Sequence, residues 1–308
     1  MSSLWAFPGQ GAQQPGMLHA LPQAAVVQGC IEQASAALGE DVRLLDSAEA
    51  LQGTRAVQLC LLIAGVASAR LLNERGHRPD YVAGLSIGAY AAAVTAGALD
   101  FADAVRLVAL RGELMQRAYP EGYGMTAILG LDQTSVEQLL GEAEGPVYLA
   151  NINAANQLVI AGSDAAMAAL AGRARVLGAG AARRLAMSVP SHCELLAAPA
   201  AELAAAFAGV EVRAPQVRYL SSSSARLIRD PQILRDDLAV NMSRVVDWQA
   251  TLVTAYERGV RLHLELPPGA VLTGLARRVF DPGQAVAFEG ARLDTLDAML
   301  RQEVSLDR

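Results

Sequence analysis

The chain has 308 residues, 53% of them hydrophobic, and a formal charge of −6. That length buries a core of one large or two unequal domains, and the acidic balance argues against a broad nucleic-acid surface. All 25 basic residues are arginine, which excludes a Schiff-base lysine, a Ser–Lys dyad and a phosphate-loop lysine.

Leu4 to Phe7 form a short apolar run, read as a strand, ending in the glycine-rich loop Pro8-Gly9-Gln10-Gly11. No secretory signal fits this opening. Cys30, Cys60 and Cys193 show no paired or metal-like spacing, so a reduced, cytoplasmic protein is expected. A helix is expected near Pro22–Leu38, then a buried one over Val57–Leu72, apolar nearly all round. Pro79-Asp80 breaks the chain before a strand at Tyr81–Ala83. Helix returns over Ile87–Ala96 and Phe101–Ala118. The stretch Tyr81–Leu99 is uncharged, but its glycines, Ser86, Tyr90 and Thr95, and the strand-to-helix switch inside it, argue against a membrane span.

The rhythm then changes. Met125–Leu129 reads as a strand, Thr134–Glu142 as a helix, Val147–Asn153 and Gln157–Ala161 as strands, and Asp164–Leu177 as a helix with a Ser-Asp cap signal. Arg184–Val189 is expected to close the set as a strand. That β-α-β-β-α-β order is a ferredoxin-like plan. Beyond Pro190 helices again alternate with strands such as Val217–Leu220 and Leu262–Leu266. The expected fold class is α/β: a hydrolase-like body with a mostly parallel sheet (1–123 and 189–308) and an inserted small ferredoxin-like domain (124–188).

Gly84-Leu85-Ser86-Ile87-Gly88 has the form of a nucleophile elbow. Small residues must flank the serine because the strand turns sharply into a helix at a strained backbone position. The turn would lift Ser86 to the carboxyl edge of the sheet and aim the Ile87 N–H at a developing oxyanion. A serine nucleophile needs a base, and the chain offers His19, His77, His192 and His263. His19 and His77 sit in solvated-looking turns. His263 alternates with Leu262 and Leu264, as a satisfied structural histidine would. His192, in Val189-Pro190-Ser191-His192-Cys193 at the expected domain junction, is the favoured base.

Five segments together resemble the malonyl-CoA:acyl-carrier-protein transacylase family: Phe-Pro-Gly-Gln-Gly at 7–11, Gly-Leu-Ser-Ile-Gly at 84–88, Arg-Leu-Val-Ala-Leu-Arg-Gly at 106–112, Val-Pro-Ser-His-Cys at 189–193 and Pro-Pro-Gly-Ala-Val-Leu-Thr-Gly-Leu at 267–275. The resemblance implies a Ser86–His192 dyad, an oxyanion hole from the Gln10 and Ile87 amides, and Arg111 as the partner of the malonyl carboxylate. A planar guanidinium can hold a carboxylate with two parallel charge-assisted bonds. The plain alternative for Arg111 is a solvated helix charge or a salt bridge to Asp103 or Glu113. The resemblance also implies malonyl-CoA as substrate, no permanently bound cofactor and no metal.

Three positions depart from the family pattern: Leu85 where histidine is usual, Ala89 where glutamate is common, and Asp247 where glutamine is usual. Asp247 could orient His192 as a triad carboxylate or serve as a bland cap. Gly-Leu-Ser-Ile-Gly-Ala-Tyr and Tyr-Leu-Ser-Ser-Ser-Ser-Ala-Arg at 219–226 look most like the acyltransferase (epsilon) subunit of malonate decarboxylase. The expected partner is then that enzyme's carrier subunit, with a fatty-acid or polyketide acyl carrier protein, or a serine esterase or thioesterase activity, as alternatives. Docking of an acidic carrier would need a local basic patch, for which Arg173, Arg175, Arg183, Arg184, Arg277 and Arg278 are candidates.

Overall fold

The computed structural model describes residues 2–119 and 121–305, the last four by backbone alone. In chain order the strands are β1 (Ser2–Phe7), β2 (Tyr81–Gly84), β3 (Tyr123–Leu129), β4 (Val147–Ala154), β5 (Gln157–Ser163), β6 (Ala181–Arg184), β7 (Arg218–Leu220), β8 (Leu227–Ile228), β9 (Val246–Asp247), β10 (Val260–Glu265) and β11 (Gln284–Ala287). The helices are α1 (Ala25–Leu38), α2 (Thr54–Glu74), α3 (Gly88–Thr95), α4 (Phe101–Ala118), α5 (Gln133–Gly141), α6 (Asp164–Val176), α7 (Ala197–Ala206), α8 (Pro231–Val240), α9 (Trp248–Glu257), α10 (Val271–Ala276) and α11 (Leu293–Ser305).

Two mixed sheets result. The first runs β11-β10-β1-β2-β7-β8, parallel throughout except for β8. Parallel strands covered on both faces read as continuous apolar runs, and Leu4–Phe7 is such a run. Its side chains alternate: Trp5, Phe7 and Val82 enter the core shared with α1, α2 and α4, while Leu4, Ala6 and Ala83 enter a second core with α9 and α10. The second sheet runs β6-β3-β5-β4-β9; its first four strands are antiparallel and β9 joins β4 in parallel. The order β-α-β-β-α-β expected between 124 and 188 is present, and Ser163 caps α6 through the Ala166 N–H at 3.3 Å.

One strand lies elsewhere than expected. β6 ends at Arg184, whereas the sequence pattern points to a strand over Arg184–Val189. The Arg184 guanidinium donates to four backbone carbonyls, of Tyr123, Met125, Leu185 and Met187. The chain therefore curls around this side chain and leaves the sheet. Gly124 is what makes room, because a Cβ there would overlap the guanidinium.

Among the described residues, α2 is the one helix long and apolar enough to cross a membrane, and it is buried against α1, α3 and α4. The uncharged stretch Tyr81–Leu99 instead divides into β2, a turn and α3.

Candidate active site

The carboxyl ends of β1 and β2 lie side by side, the edge where open α/β sheets bind ligands. After β2 the chain reverses within three residues, and Ser86 takes a left-handed conformation at φ 56°. A non-glycine residue there is strained and persists only where its surroundings enforce it. Gly84 and Gly88 supply the enforcement: a Cβ on Gly84 would overlap the Gly88 backbone, and one on Gly88 would overlap the Phe7 carbonyl. The Leu85 N–H donates to Phe7 O at 3.0 Å, tying the elbow to β1. Across the gap, a Cβ on Gly9 would sit 2.7 Å from the Leu85 side chain. Glycine at position 9 thus lets the loop carrying Gln10 lie directly against the elbow. Among the described residues the Gln10 and Ile87 backbone N–H groups have no acceptor.

His192 arrives from the segment between β6 and α7, also with positive φ, at 65°. Its Nε2 lies 2.7 Å from Ser86 Oγ. Its Nδ1 faces two backbone carbonyls, Asn241 O at 3.0 Å and Arg244 O at 3.1 Å. Carbonyls only accept, so Nδ1 carries the proton and Nε2 keeps its lone pair toward the serine hydroxyl. The backbone N–H of His192 donates to Met242 O at 2.7 Å, so a single turn holds both ring and main chain. Burial first, and the nearby Arg111 charge second, push the imidazole pKa down to about 4. The ring is neutral at pH 7, as a general base must be.

Arg111 on α4 is fully buried. It makes no salt bridge to Asp103 or Glu113; those carboxylates pair with Arg106 and Arg55. Its partners are neutral: Nη1 donates to Gln58 Oε1 at 2.7 Å, and Nη2 to Ser86 Oγ and Asn241 Oδ1, both at 3.3 Å. Gln58 in turn donates to Gln10 Oε1 at 3.0 Å. Burial lowers the guanidinium pKa to about 10, which leaves it charged at pH 7. A buried cation without an anion is costly unless a ligand supplies one. The guanidinium thus stands 3.3 Å from Ser86 Oγ with no anion beside it among the described residues.

A cleft of about 380 Å³ opens onto Ser86 and His192. The Gly9–Gln13 loop and α10 wall it on one side, and β3, β4 and β5 on the other. Asn151 and Asn153 of β4 line it, and the Oδ1 atom of each is buried without a donor. These two, with Gln58 and Asn241, escaped the sequence reading. A signal existed for three of them: Gln58 is the one amide within the apolar run Val57–Leu72, and Asn151 and Asn153 repeat at the two-residue period of a strand face.

The other candidates fall elsewhere. Asp247 caps α9, accepting from the Ala250 N–H at 2.8 Å, and its carboxylate is not what His192 rests on. His77 is buried, where a surface turn was expected, with Nε2 2.9 Å from an Asp297 oxygen of α11. His19 is largely exposed and contacts Asp46. His263 is buried in β10 with neither ring nitrogen partnered, so it is no satisfied structural histidine. Of the basic candidates, Arg173 pairs with Glu142, Arg184 with Asp164, and Arg175 with the Ala182 carbonyl. Arg278 reaches Asn156, in the turn between β4 and β5, at 3.5 Å. Arg183 and Arg277 are exposed and, among the described residues, unpaired.

Residues 4–298 match the family model of the acyl transferase domain. The malonyl CoA-acyl carrier protein transacylase of Escherichia coli K12 is 40% identical over 285 residues, spanning 90% of this chain and 92% of the relative. That of Bacillus subtilis is 34% identical over 281 residues, 89% of each. Among solved structures, a malonyl-transacylase in complex with a type II polyketide acyl-carrier protein superposes with a TM-score of 0.92 at 37% identity, over 98% of this chain and 100% of that one. The transacylase from Coxiella burnetii gives 0.90 at 36% identity over 93% of each. A family model that spans nearly the whole chain, and relatives 34–40% identical over about nine-tenths of it, show that the chain belongs to the malonyl-CoA:acyl carrier protein transacylase family.

Proposed function

We propose that the protein moves a malonyl group from malonyl-CoA to the thiol of an acyl carrier protein through an ester on Ser86. The observation that carries this reading is the 2.7 Å contact of Ser86 Oγ with His192 Nε2 beside a buried guanidinium that lacks an anion among the described residues. His192 takes the serine proton as Oγ attacks the thioester carbonyl. The Gln10 and Ile87 amides hold the oxyanion, each such donor contributing about 3–4 kcal/mol in the transition state. Collapse expels the CoA thiolate, which receives the proton from His192 and leaves malonyl-serine. The carrier thiol then gives its proton to His192 and attacks the ester, and the cycle runs in reverse. Arg111 clamps the free carboxylate throughout.

The cleft suits the arm that delivers the acyl group. Pantetheine presents amide N–H groups, and the unpartnered oxygens of Asn151 and Asn153 are acceptors for them. Of the basic candidates, Arg183 and Arg277, exposed and unpaired among the described residues, are placed to meet an acidic carrier. The relatives favour a fatty-acid or polyketide carrier over the malonate decarboxylase carrier that two sequence segments suggested. The two-lobed architecture is read as a hydrolase-like body with a ferredoxin-like insert, supported by the parallel core strands and the β-α-β-β-α-β order. A cytoplasmic setting accords with three unpaired cysteines.

The test is direct. Protein is incubated with radiolabelled malonyl-CoA, the acyl-enzyme isolated, and CoA, fatty-acid carrier, malonate decarboxylase carrier or water offered. Label on Ser86 that moves to a carrier thiol is expected, fastest to the fatty-acid or polyketide type. Absence of label on the protein defeats the covalent route, and loss to water alone makes the protein a hydrolase.

A further inference from the structure

Asn241 closes α8 and is 1% exposed. It reaches two site residues in two ways. Its side-chain Oδ1 accepts from Arg111 Nη2, and its backbone oxygen accepts from His192 Nδ1. The carboxamide orientation is dictated by chemistry: turning Nδ2 toward the guanidinium would set donor against donor. Nδ2 is thereby pinned beside Arg111 as a donor, and it is buried without a partner. Arg111 Nε is a second buried donor in the same state. Native proteins leave few such groups unsatisfied, and those that remain need an explanation. Here several donors and one net positive charge converge next to Ser86, with no anion among the described residues.

We infer that Asn241 is a second recognition residue for the free carboxylate of the acyl group, donating from Nδ2 while Arg111 supplies the charge. The inference rests on the malonyl reading of the site and deepens it. A carboxylate has four acceptor positions and can take both donors at once. The arrangement also registers substrate and base to one residue: the side chain of Asn241 meets the carboxylate while its main chain fixes the imidazole. Truncating the side chain leaves the carbonyl that holds His192, so the two roles separate experimentally.

Asn241→Ala and Asn241→Asp are compared with the unaltered protein for rates of acyl-enzyme formation from malonyl-CoA and from acetyl-CoA. Asn241→Ala is expected to slow malonyl loading about tenfold or more, the usual effect of losing a hydrogen bond to a charged group, and to slow acetyl loading far less. Asn241→Asp is nearly isosteric and sets a carboxylate against Arg111 inside the site. It is expected to suppress malonyl loading further while acetyl loading again suffers less. An unchanged malonyl-to-acetyl preference in Asn241→Ala overturns the inference, and so does equal loss of both, which would make Asn241 a support for His192 alone. Should the alanine variant not fold, a retained malonyl preference in Asn241→Asp overturns it. Failure of the unaltered protein to take malonyl at all is a different result and removes the malonyl reading itself.

Discussion

Two buried imidazoles make an instructive pair. His192, in the segment between β6 and α7, and His263, in the middle of β10, are both kept neutral, with pKa values lowered to about 4 and about 3, in each case chiefly by desolvation. They differ in company. Both ring nitrogens of His192 have partners that define what they do. Two carbonyls fix the proton on Nδ1, and the serine hydroxyl meets Nε2. His263 has no such partners; its ring nitrogens are unpartnered, and it stands edge-on to Phe280 with centroids 5.8 Å apart. A strongly perturbed pKa marks candidates for function, but here the two most depressed histidines separate only by hydrogen-bond geometry. Burial makes an imidazole neutral; partners make it a base.

The sharpest way to break the comparison is to remove each ring in turn. His192→Ala is expected to slow acyl-enzyme formation about a thousandfold for malonyl-CoA and acetyl-CoA alike, within the range for losing a general base. The same change at 263 should leave the acylated fraction of correctly folded protein near its original rate. Single-turnover loading with labelled thioesters measures both. A large, equal loss of loading at the two positions would erase the distinction drawn from geometry.

Arg111 sharpens the contrast from the substrate side. Removing a guanidinium that holds a carboxylate forfeits two charge-assisted bonds, each worth about 1.5–3 kcal/mol. Arg111→Ala is therefore expected to cost malonyl loading about a hundredfold or more, and acetyl loading much less. Thioester competition, read as the ratio of labelled acyl groups on Ser86, gives the answer. Equal loss of both acyl groups would take Arg111 out of carboxylate recognition.

These residues were legible in the sequence to different depths. Ser86 was visible because a sharp strand–helix turn restricts its neighbours to glycine, and Gly84 and Gly88 do stand where any side chain would collide. His192 was visible as an imidazole at a junction. Arg111 was visible only through family likeness, because on helical periodicity it is one charge among several on α4. Its burial depends on Gln58, which comes from a helix 53 positions earlier, and on Asn241, 130 positions later. Such long-range pairs leave no local trace. The misplaced β6 has the same origin: a strand reading over Arg184–Val189 had no means of anticipating that Arg184 would gather four carbonyls around itself. Asp247 takes the cap role that the sequence leaves open beside a triad one, because it stands directly before α9, where aspartate is a favoured cap.

The smallest effect expected concerns His263 and is one of stability. Its two nitrogens lie in an apolar core with Phe280, and they carry a desolvation cost that no hydrogen bond to another described residue offsets. Replacing a buried, unsatisfied polar ring with an apolar side chain of similar volume removes that cost, about 1–3 kcal/mol. His263→Leu is thus expected to raise the unfolding midpoint at pH 7. The pH dependence follows from the same shift. In the unfolded chain a histidine titrates near 6.5, whereas His263 in the fold does so near 3. The unfolded state therefore binds more protons between those values, and stability present above pH 6.5 is lost progressively as pH falls toward 3. His192 adds the same sign of loss between 6.5 and about 4. His263→Leu should remove its share, leaving a flatter acid limb, while His192 keeps its own. Denaturant unfolding at pH 7 and pH 5 reads both contributions. If the leucine variant were less stable at pH 7 and equally acid-sensitive, the unpartnered nitrogens would have to be satisfied in solution, and the difference between the two histidines would lie elsewhere than in their hydrogen bonds.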